Sequence, residues 1–536
     1  MARTAFPHAW KQGNIPTGVT LARNGPPLFD AARETAHSLQ DLMTQEILKS
    51  TDIVEEYVRR IEEYNGYLHA VSEYAPGVMK RAREMDESRA KGNILGPLHG
   101  IPVLIKDTFA TEPGLKMSTT AGAVALIGSQ PSKNSAVVNK LLEAGAVILG
   151  KTTVSELSFR KGSGIPCGWS AIDGQGQSPY VWGGFDVNDS IGGHSAPGGS
   201  SSGVSIAVGA SLAAVGVGVD TDASITAPAI RASLYSIRPT TGIVSVEGVI
   251  PVTKSFDVAG PMAKDVRDVA DMLTVLVDSS KTQVPEGGYS SAINDSWKDL
   301  RVGTLDPNTW NYPEFLVKPE PEATEQMTKA TLDAYSKIKA LAAGYHENID
   351  LPSVGEFVLD GTHAFYTTLD VEYPQALDEY LEGLVSSPVR SMQELVEWNE
   401  AHAEEALPSA YPNQDLLTTA LNTNLSPEKI QLLRDHYLKV GSNLDRMFEE
   451  YNINIIVGPG DCFLPTYASS KGYPIAAVPL TYLDFKGRPI GLQAIAPAHR
   501  EDVLLNFMAA YETSIAQRKP PVAFMEAVSS QKPSQL

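Results

Sequence analysis

Residues 195–229, SAPGGSSSGVSIAVGASLAAVGVGVDTDASITAPA, decide how this chain folds. The stretch starts as a turn of glycine and serine, continues as a long run of small and mostly apolar residues, and ends with a serine behind two aspartates. Residues 203–219 approach the length of a membrane span, but their Gly, Ala and Ser content is unsuited to a lipid-facing helix. We therefore predict a short buried helix followed by a buried strand.

The geometry of these two elements predicts that Ser224 returns to the side of Ser200. A helix that begins just after Ser200 is about 15 Å long at 1.5 Å per residue. The strand that follows runs about 20 Å in the opposite direction. Small residues along both elements allow them to pack closely. Ser200 also lies at the N-terminus of the helix, where backbone N–H groups favour developing negative charge.

The sequence GSSSG at residues 199–203 also matches the G-x-S-x-G nucleophile elbow, which would make Ser201 a nucleophile. That elbow requires a strand immediately before it. The preceding residues, NDSIGGHSAPG, contain a proline and several glycines and cannot form a central strand. This argues against an α/β-hydrolase, and His194 as a general base has no better support, because a lone loop histidine is usually solvated.

A second segment, GIPVLIKD at residues 100–107, has an apolar run that stops abruptly at Lys106. It predicts a buried strand with a lysine at its carboxyl end. Such a lysine usually extends to the surface, but a buried one loses its proton more easily and can act as a base.

Taken together, these segments resemble the amidase signature family, whose hallmark is a Ser–Ser–Lys triad. GIPVLIKD is similar to the lysine strand of the family, APGGSSSG to its Gly-Gly-Ser-Ser-Gly-Gly turn, and VDTDASI to its nucleophile loop. Further matching blocks are GAVILGKTTVSE, GPMAKDVRDV and GLQAIAPAHREDVLLNFMAAYE. The resemblance covers nearly the whole chain.

The resemblance implies that Ser224 is the nucleophile, that Ser200 is a bridging serine in a cis peptide arrangement, and that Lys106 is the base. A serine hydroxyl needs a base to remove its proton, and a hydroxyl between the two can relay that proton because it both donates and accepts. The oxyanion hole is expected from backbone N–H groups. The residues that would supply them are Thr221, Asp222, Ala223 and Ser224. This chemistry requires no metal and no cofactor.

For the fold, the resemblance implies an α/β protein with a central mixed β-sheet flanked by α-helices on both faces. We expect a single amidase domain over residues 1–536. Within it we expect a helical lead-in over about residues 1–70 and a helical insertion over the active site at about 300–450. Strands and a helix at about 451–520 would complete the core.

Two residues of the nucleophile loop depart from the family pattern, which has glycines where this chain has Asp222 and Ala223; Ser202 likewise replaces a glycine in the turn. A carboxylate about 4 Å from an oxyanion costs roughly 4 kcal/mol at an effective dielectric of 20. That would slow the attack nearly a thousandfold. Asp222 must therefore point away or be protonated, or else simple amide hydrolysis is impaired and Asp222→Gly should raise the rate.

Composition limits the partners. A formal net charge of −20, from 43 basic and 63 acidic residues, disfavours nucleic acid and acidic membranes. The two cysteines, Cys167 and Cys462, lie far apart, which indicates a reducing compartment and argues against structural zinc. The ten histidines lack metal-ligand spacing. The N-terminus has no apolar signal segment, so we expect a cytoplasmic protein. The oligomeric state, including a homodimer, stays open.

The main hypothesis is a serine-dependent amidase that cleaves a small, uncharged or hydrophobic carboxamide through an acyl-serine. The alternatives are an acyltransferase that passes the acyl group to an amine or alcohol, an amidotransferase subunit that releases ammonia, and a non-catalytic binding or scaffold protein. Substrate contacts are expected from the loop at about residues 117–120, from residues 167–177 and from the 300–450 block. The loop candidates are Met117, Ser118, Thr119, Cys167, Gln175, Gln177 and Ser201.

Overall fold

A computed structural model describes residues 15–20 and 27–529 of the chain. Its strands, in chain order, are β1 (Val71–Tyr74), β2 (Pro102–Lys106), β3 (Val147–Thr152), β4 (Trp169–Ser170), β5 (Gly174–Gln175), β6 (Val215–Asp220), β7 (Tyr235–Arg238), β8 (Val258–Ala263), β9 (Arg301–Thr304), β10 (Gly344–His346), β11 (Val358–Leu359), β12 (Thr362–His363), β13 (Ile455–Pro459), β14 (Ile475–Tyr482) and β15 (Pro489–Ile495).

The helices are α1 (Ala36–Thr44), α2 (Ser50–Leu68), α3 (Val78–Ala90), α4 (Ala136–Glu143), α5 (Glu156–Phe159), α6 (Ser202–Gly209), α7 (Thr226–Arg231), α8 (Val266–Leu276), α9 (Tyr289–Ala292), α10 (Pro321–Leu341), α11 (Ala364–Glu382), α12 (Met392–Ala401), α13 (Ala403–Ala406), α14 (Asp415–Asn422), α15 (Pro427–Gly441), α16 (Asn443–Glu450), α17 (Leu464–Lys471), α18 (Glu501–Ser514) and α19 (Val522–Ser529). Among the described residues, no helix combines the length and the apolarity needed to cross a membrane.

Within residues 15–20 and 27–529, eleven strands form one mixed sheet in the order β1-β3-β2-β6-β8-β7-β14-β15-β13-β9-β10. β2 pairs in parallel with β3 and β6, and β13 pairs in parallel with β9. The pairs β6–β8, β8–β7 and β7–β14 are antiparallel. Helices flank this sheet, so the α/β mixed-sheet prediction is confirmed. The apolar runs of β2, β3 and β6 are buried along their whole length, as expected for strands covered on both faces.

The predicted helix and strand of the opening stretch are α6 and β6. Every residue of both elements is buried. Their glycines permit this packing, because a Cβ atom at Gly203 would lie 2.3 Å from the backbone oxygen of Thr153, and one at Gly216 would lie 2.6 Å from a Val204 methyl group. Since β6 pairs in parallel with β2, the ends of both strands reach the same edge region of the sheet.

The 300–450 block is less uniformly helical than expected. It contains the helices α10 to α16, but β9 and β10 also lie in this block and form the end of the main sheet. These strands have only four and three residues, too few for a readable alternation of apolar and polar positions. Residues 1–14 and 21–26 of the expected lead-in lie outside the described residues, and the prediction that the N-terminus has no signal segment falls on them. The described part of the lead-in contains α1 and α2.

Candidate active site

Lys106 lies at the last position of β2 and is fully buried. Its Nζ donates hydrogen bonds to Ser200 Oγ at 2.7 Å and to the Val219 carbonyl oxygen at 3.0 Å. Burial lowers the pKa of Lys106 to about 7, although the charges of Asp220 and Asp257 act in the opposite direction. At neutral pH a large fraction of this amine is therefore unprotonated and able to accept a proton.

Ser200 and Ser224 meet as the geometry of α6 and β6 predicts. The Ser200 backbone N–H donates to Ser224 Oγ at 3.3 Å, and the Ser201 N–H donates to the Ser224 carbonyl oxygen at 3.3 Å. The expected cis peptide at Ser200 is not observed, since the described residues contain no cis peptide bond. A trans backbone still allows the contact with Lys106 because the turn glycines Gly198 and Gly199 adopt φ values of 77° and 52°.

The loop after β6 is held by its side chains. Asp220 accepts a hydrogen bond from the Ile225 N–H at 2.5 Å and pairs with Arg238 at 3.2 Å. The Thr221 hydroxyl donates to Asp257 at 2.6 Å. By contrast, the backbone N–H groups of residues 221–224 donate to no acceptor among the described residues. They are available to a ligand, as an oxyanion hole requires.

Asp222 has well-defined partners. Its carboxyl accepts hydrogen bonds from the Tyr366 hydroxyl at 3.0 Å and from the Thr466 hydroxyl at 2.9 Å. Burial, reinforced by the charge of Asp220, raises the pKa of Asp222 to about 6. Ala223, which follows it, has a φ of 67°, a left-handed conformation that costs a residue with a Cβ atom about 1–2 kcal/mol. The backbone strain expected from replacing glycine is therefore present at Ala223.

A cavity of about 410 Å³ opens onto these groups. Ser200, Ser224 and the loop between residues 221 and 223 form one part of its wall. The 300–450 block contributes another part through Tyr312, Phe315, Val317, Tyr366, Leu369 and Leu416. The lining is mainly apolar and rich in aromatic rings. Its two guanidinium groups are paired within the protein, Arg160 with Asp370 and Arg231 with Asp461.

Of the seven loop residues predicted to contact substrate, Cys167 lines the cavity. Met117 packs into the hydrophobic core, and the Lys151 amine binds the Ser118 carbonyl oxygen and the Thr119 hydroxyl. These three residues lie outside the cavity lining.

The other predicted residues also lie outside that lining. Gln175 and Gln177 bind backbone groups of their own loop, including the Cys167 carbonyl oxygen. The Ser201 hydroxyl donates to the Val219 carbonyl oxygen at 3.0 Å and accepts from the Val219 N–H at 3.2 Å. It therefore helps to fix α6 against β6. In the part of the chain that the structure describes, no group of His, Cys, Asp and Glu side chains is arranged to hold a metal ion.

Sequence reasoning missed several residues of the cavity. Tyr312, Tyr366 and Phe463 come from separate segments that carry no recognisable motif. A further wall contains a left-handed turn, in which Leu157, Ser158 and Phe159 have φ values between 51° and 70°. None of the three is glycine, so the sequence gives no sign of this conformation.

Comparison with known proteins agrees with this fold. The model of the family described as Amidase matches residues 52–505. A probable amidase from Arabidopsis thaliana is 32% identical and the match covers 92% of each chain. The solved structure of a peptide amidase from Stenotrophomonas maltophilia has a TM-score of 0.79 and 30% identity, over 91% of this chain and 98% of that one. A glutamyl-tRNA(Gln) amidotransferase subunit from Thermoanaerobacter pseudethanolicus is 27% identical over 89% of this chain and 96% of its own length.

The fold and these similarities define a serine-type amide hydrolase. The chain belongs to the amidase family.

Proposed function

We propose that this amidase cleaves the carboxamide of a small, uncharged or apolar substrate, with Ser224 as nucleophile, Ser200 as bridging residue and Lys106 as base. The observation that carries the proposal is the hydrogen bond from the buried Lys106 amine to the Ser200 hydroxyl, together with the hydrogen bond from the Ser200 backbone N–H to Ser224 Oγ at the cavity wall. A lysine can act as a base at neutral pH when burial lowers its pKa. Here the pKa is about 7.

In the first half-reaction the Ser224 oxygen attacks the amide carbon. Its proton passes to the Ser200 oxygen as the Ser200 proton passes to the neutral Lys106 amine. Collapse of the tetrahedral intermediate breaks the carbon–nitrogen bond, and the proton returns from Lys106 through Ser200 to the leaving nitrogen. Water then repeats the sequence on the acyl-Ser224, which releases the carboxylic acid and restores the serine.

The negative charge of the tetrahedral intermediate would be stabilised by the unengaged N–H groups of residues 221–224. Groups of this kind contribute about 10²–10³-fold each in other hydrolases. Because these N–H groups bind nothing else in the described residues, they need not break another hydrogen bond to bind the oxyanion.

The cavity supports the assignment of the substrate class. Its lining is mainly apolar, and its two guanidinium groups are already paired, Arg160 with Asp370 and Arg231 with Asp461. A substrate carboxylate would therefore lose its hydration without gaining a guanidinium group that lacks a partner. Since one similar structure is that of a peptide amidase, peptide carboxamides with apolar side chains belong in the first substrate panel.

A second candidate function is the release of ammonia from glutamine for a partner protein. It is suggested by the similarity to a glutamyl-tRNA(Gln) amidotransferase subunit. A net charge of −20 opposes contact with a tRNA. Glutamine would also have to place its charged groups in the apolar cavity. Ammonia release from glutamine that exceeds release from apolar carboxamides would favour this candidate. Transfer to added amines or alcohols in preference to water would identify an acyltransferase.

The test is labelling with a fluorophosphonate, read by intact mass. We expect one adduct on the wild-type protein and none on Ser224→Ala or Lys106→Ala. Ser202→Ala is the matched control, because the Ser202 hydroxyl is buried two residues from Ser200 and has no hydrogen-bond partner among the described residues. It should label like the wild type. A folded wild-type protein that forms no adduct with either a small or a large fluorophosphonate would overturn the proposal and favour a binding protein.

A further inference from the structure

The nucleophile loop is anchored to other parts of the molecule through one side chain after another. Asp220 is held by Arg238 within the sheet, and Thr221 is held by Asp257. Asp222 reaches further than either, because its carboxyl accepts hydrogen bonds from Tyr366 of α11 and Thr466 of α17. Asp222 therefore links the loop to the 300–450 block and to a helix near the C-terminal strands.

This loop has reasons to need such an anchor. Ala223 is held at a φ of 67°, which an alanine leaves unless the surroundings oppose it. The N–H groups of residues 221–224 donate no hydrogen bonds among the described residues. The Ala223 carbonyl accepts from the Ala227 N–H at 3.0 Å, which fixes the peptide that carries the Ser224 N–H. The orientation of the N–H groups before it thus depends on the side chains of the loop.

We propose that Asp222 is a positioning residue that holds the oxyanion-binding N–H groups in place through Tyr366 and Thr466. This inference rests on the proposed function, in which Ser224 is the nucleophile. It is the opposite of one possibility that the sequence leaves open, namely that Asp222 impairs amide hydrolysis. The two hydroxyl groups supply the carboxyl with donors from α11 and α17, so the anchoring hydrogen bonds fix its direction.

The anchor also connects the loop to substrate binding. Tyr366 and Leu369 lie about one turn apart on α11, and both line the cavity. A substrate that packs against Leu369 therefore contacts the helix that holds Asp222. The position of α11 therefore affects both the shape of the cavity and the orientation of the N–H groups of the nucleophile loop.

The cleanest test is Thr466→Val, which removes one hydroxyl from a residue outside the cavity lining. We expect kcat to fall by about tenfold while KM stays within about twofold, because a misplaced reacting group costs up to about 10²-fold per ångström. Tyr366→Phe should have a similar effect on kcat. Since both hydroxyls hold the same carboxyl, the double variant should fall by about 30–100-fold and should match the loss in Asp222→Ala.

Each variant has a matched control on the same helix. Tyr380→Phe removes a buried hydroxyl from α11, and Ser469→Ala removes one from α17. Neither hydroxyl has a hydrogen-bond partner among the described residues. Both control variants should keep the wild-type kcat.

A second measurement separates positioning from a general loss of structure. A peptide aldehyde that forms a tetrahedral adduct with Ser224 should lose affinity in Thr466→Val in proportion to kcat/KM, whereas the corresponding alcohol should bind as before. Asp222→Asn keeps an acceptor oxygen and should recover most of the rate that Asp222→Ala loses. A general structural defect would weaken both ligands, lower the melting temperature and resist rescue by asparagine, and this result would overturn the inference.

Asp222→Gly should change kcat in opposite directions depending on whether the carboxyl supports or opposes catalysis. If Asp222 holds the loop, kcat falls by about 10²-fold, whereas a gain in rate overturns the inference. Failure of the proposed function remains distinguishable, since it would leave wild-type Ser224 unlabelled by fluorophosphonate. Labelled, active wild-type protein with unchanged kcat in Thr466→Val would reject only the role of Asp222.

Discussion

The rigid, buried part of the site and the exposed wall of the cavity differ in how they are built. Lys106 and Ser200 are carried by β2 and the turn before α6, and both are almost fully buried, at 0% and 1% exposure. The wall contributed by the 300–450 block comes from loops and helices, and its Phe315 is 66% exposed. The base and the bridging serine thus lie at the end of a sheet strand and in the turn beside it, while the other wall lies on loops and helices outside the sheet. Tyr366 of α11 connects that wall to the nucleophile loop.

The largest effect should come from the rigid part. Lys106→Met should lower kcat by about 10³-fold or more, because it removes the proposed base. It should also raise the free energy of unfolding by about 2–4 kcal/mol at pH 7, since folding lowers the pKa of Lys106 from 10.5 to about 7. Urea denaturation and steady-state kinetics test both effects. Loss of stability together with loss of rate would mean that the amine is mainly structural.

The role of Lys106 also predicts how kcat/KM and the free energy of unfolding depend on pH. Proton transfer needs the neutral amine, so kcat/KM should be high above pH 7 and fall about tenfold per pH unit below it. The free energy of unfolding also depends on pH, because the unfolded lysine keeps its proton up to about pH 10.5 whereas the folded one loses it above about pH 7. The lysine therefore costs most stability below pH 7, and the cost disappears as the pH rises towards 10.5. A kcat/KM that stays constant between about pH 5 and 8 would contradict this assignment.

A change in the exposed wall should act on binding alone. Phe315→Ala should raise KM for an apolar carboxamide about 3–10-fold and leave kcat within about twofold, because it removes apolar contact at the cavity mouth and touches no reacting group. A parallel fall in kcat would show that Phe315 also affects the reacting groups.

The smallest effect is expected at Ala223. Ala223→Gly relieves the cost of a φ of 67° but adds freedom to the unfolded chain, so the net gain in the free energy of unfolding should be about 0.5–1 kcal/mol. Chemical denaturation measures it. A destabilised glycine variant would indicate that the Ala223 methyl group makes contacts worth more than the strain.

The sequence predicted the rigid part better than the exposed wall, for a physical reason. Lys106 ends β2, and Ser200 and Ser224 lie two residues before α6 and α7, so the length and direction of these elements predict where the three residues meet. The contact between Asp222 and Tyr366 joins residues 144 positions apart in the chain. No local pattern predicts such a contact, and a single sequence contains no information on pairs of this kind.

The loops illustrate the same limit. Met117, Ser118 and Thr119 follow the lysine strand closely in sequence, but the buried Lys151 amine binds the Ser118 carbonyl and the Thr119 hydroxyl, and Met117 packs in the core. All three therefore lie outside the cavity lining. The fold class, by contrast, was predictable, because buried strands alternate with amphipathic helices over hundreds of residues.

The strand order has a consequence for synthesis on the ribosome. β13, β14 and β15 are the last strands to be made, yet they lie between β7 on one side and β9 on the other. Until residues 455–495 have emerged, the first six strands of the sheet and the pair β9–β10 have no hydrogen bonds to each other. The growing chain must keep the unpaired edges of β7 and β9 away from neighbouring chains while residues 347–454 are made.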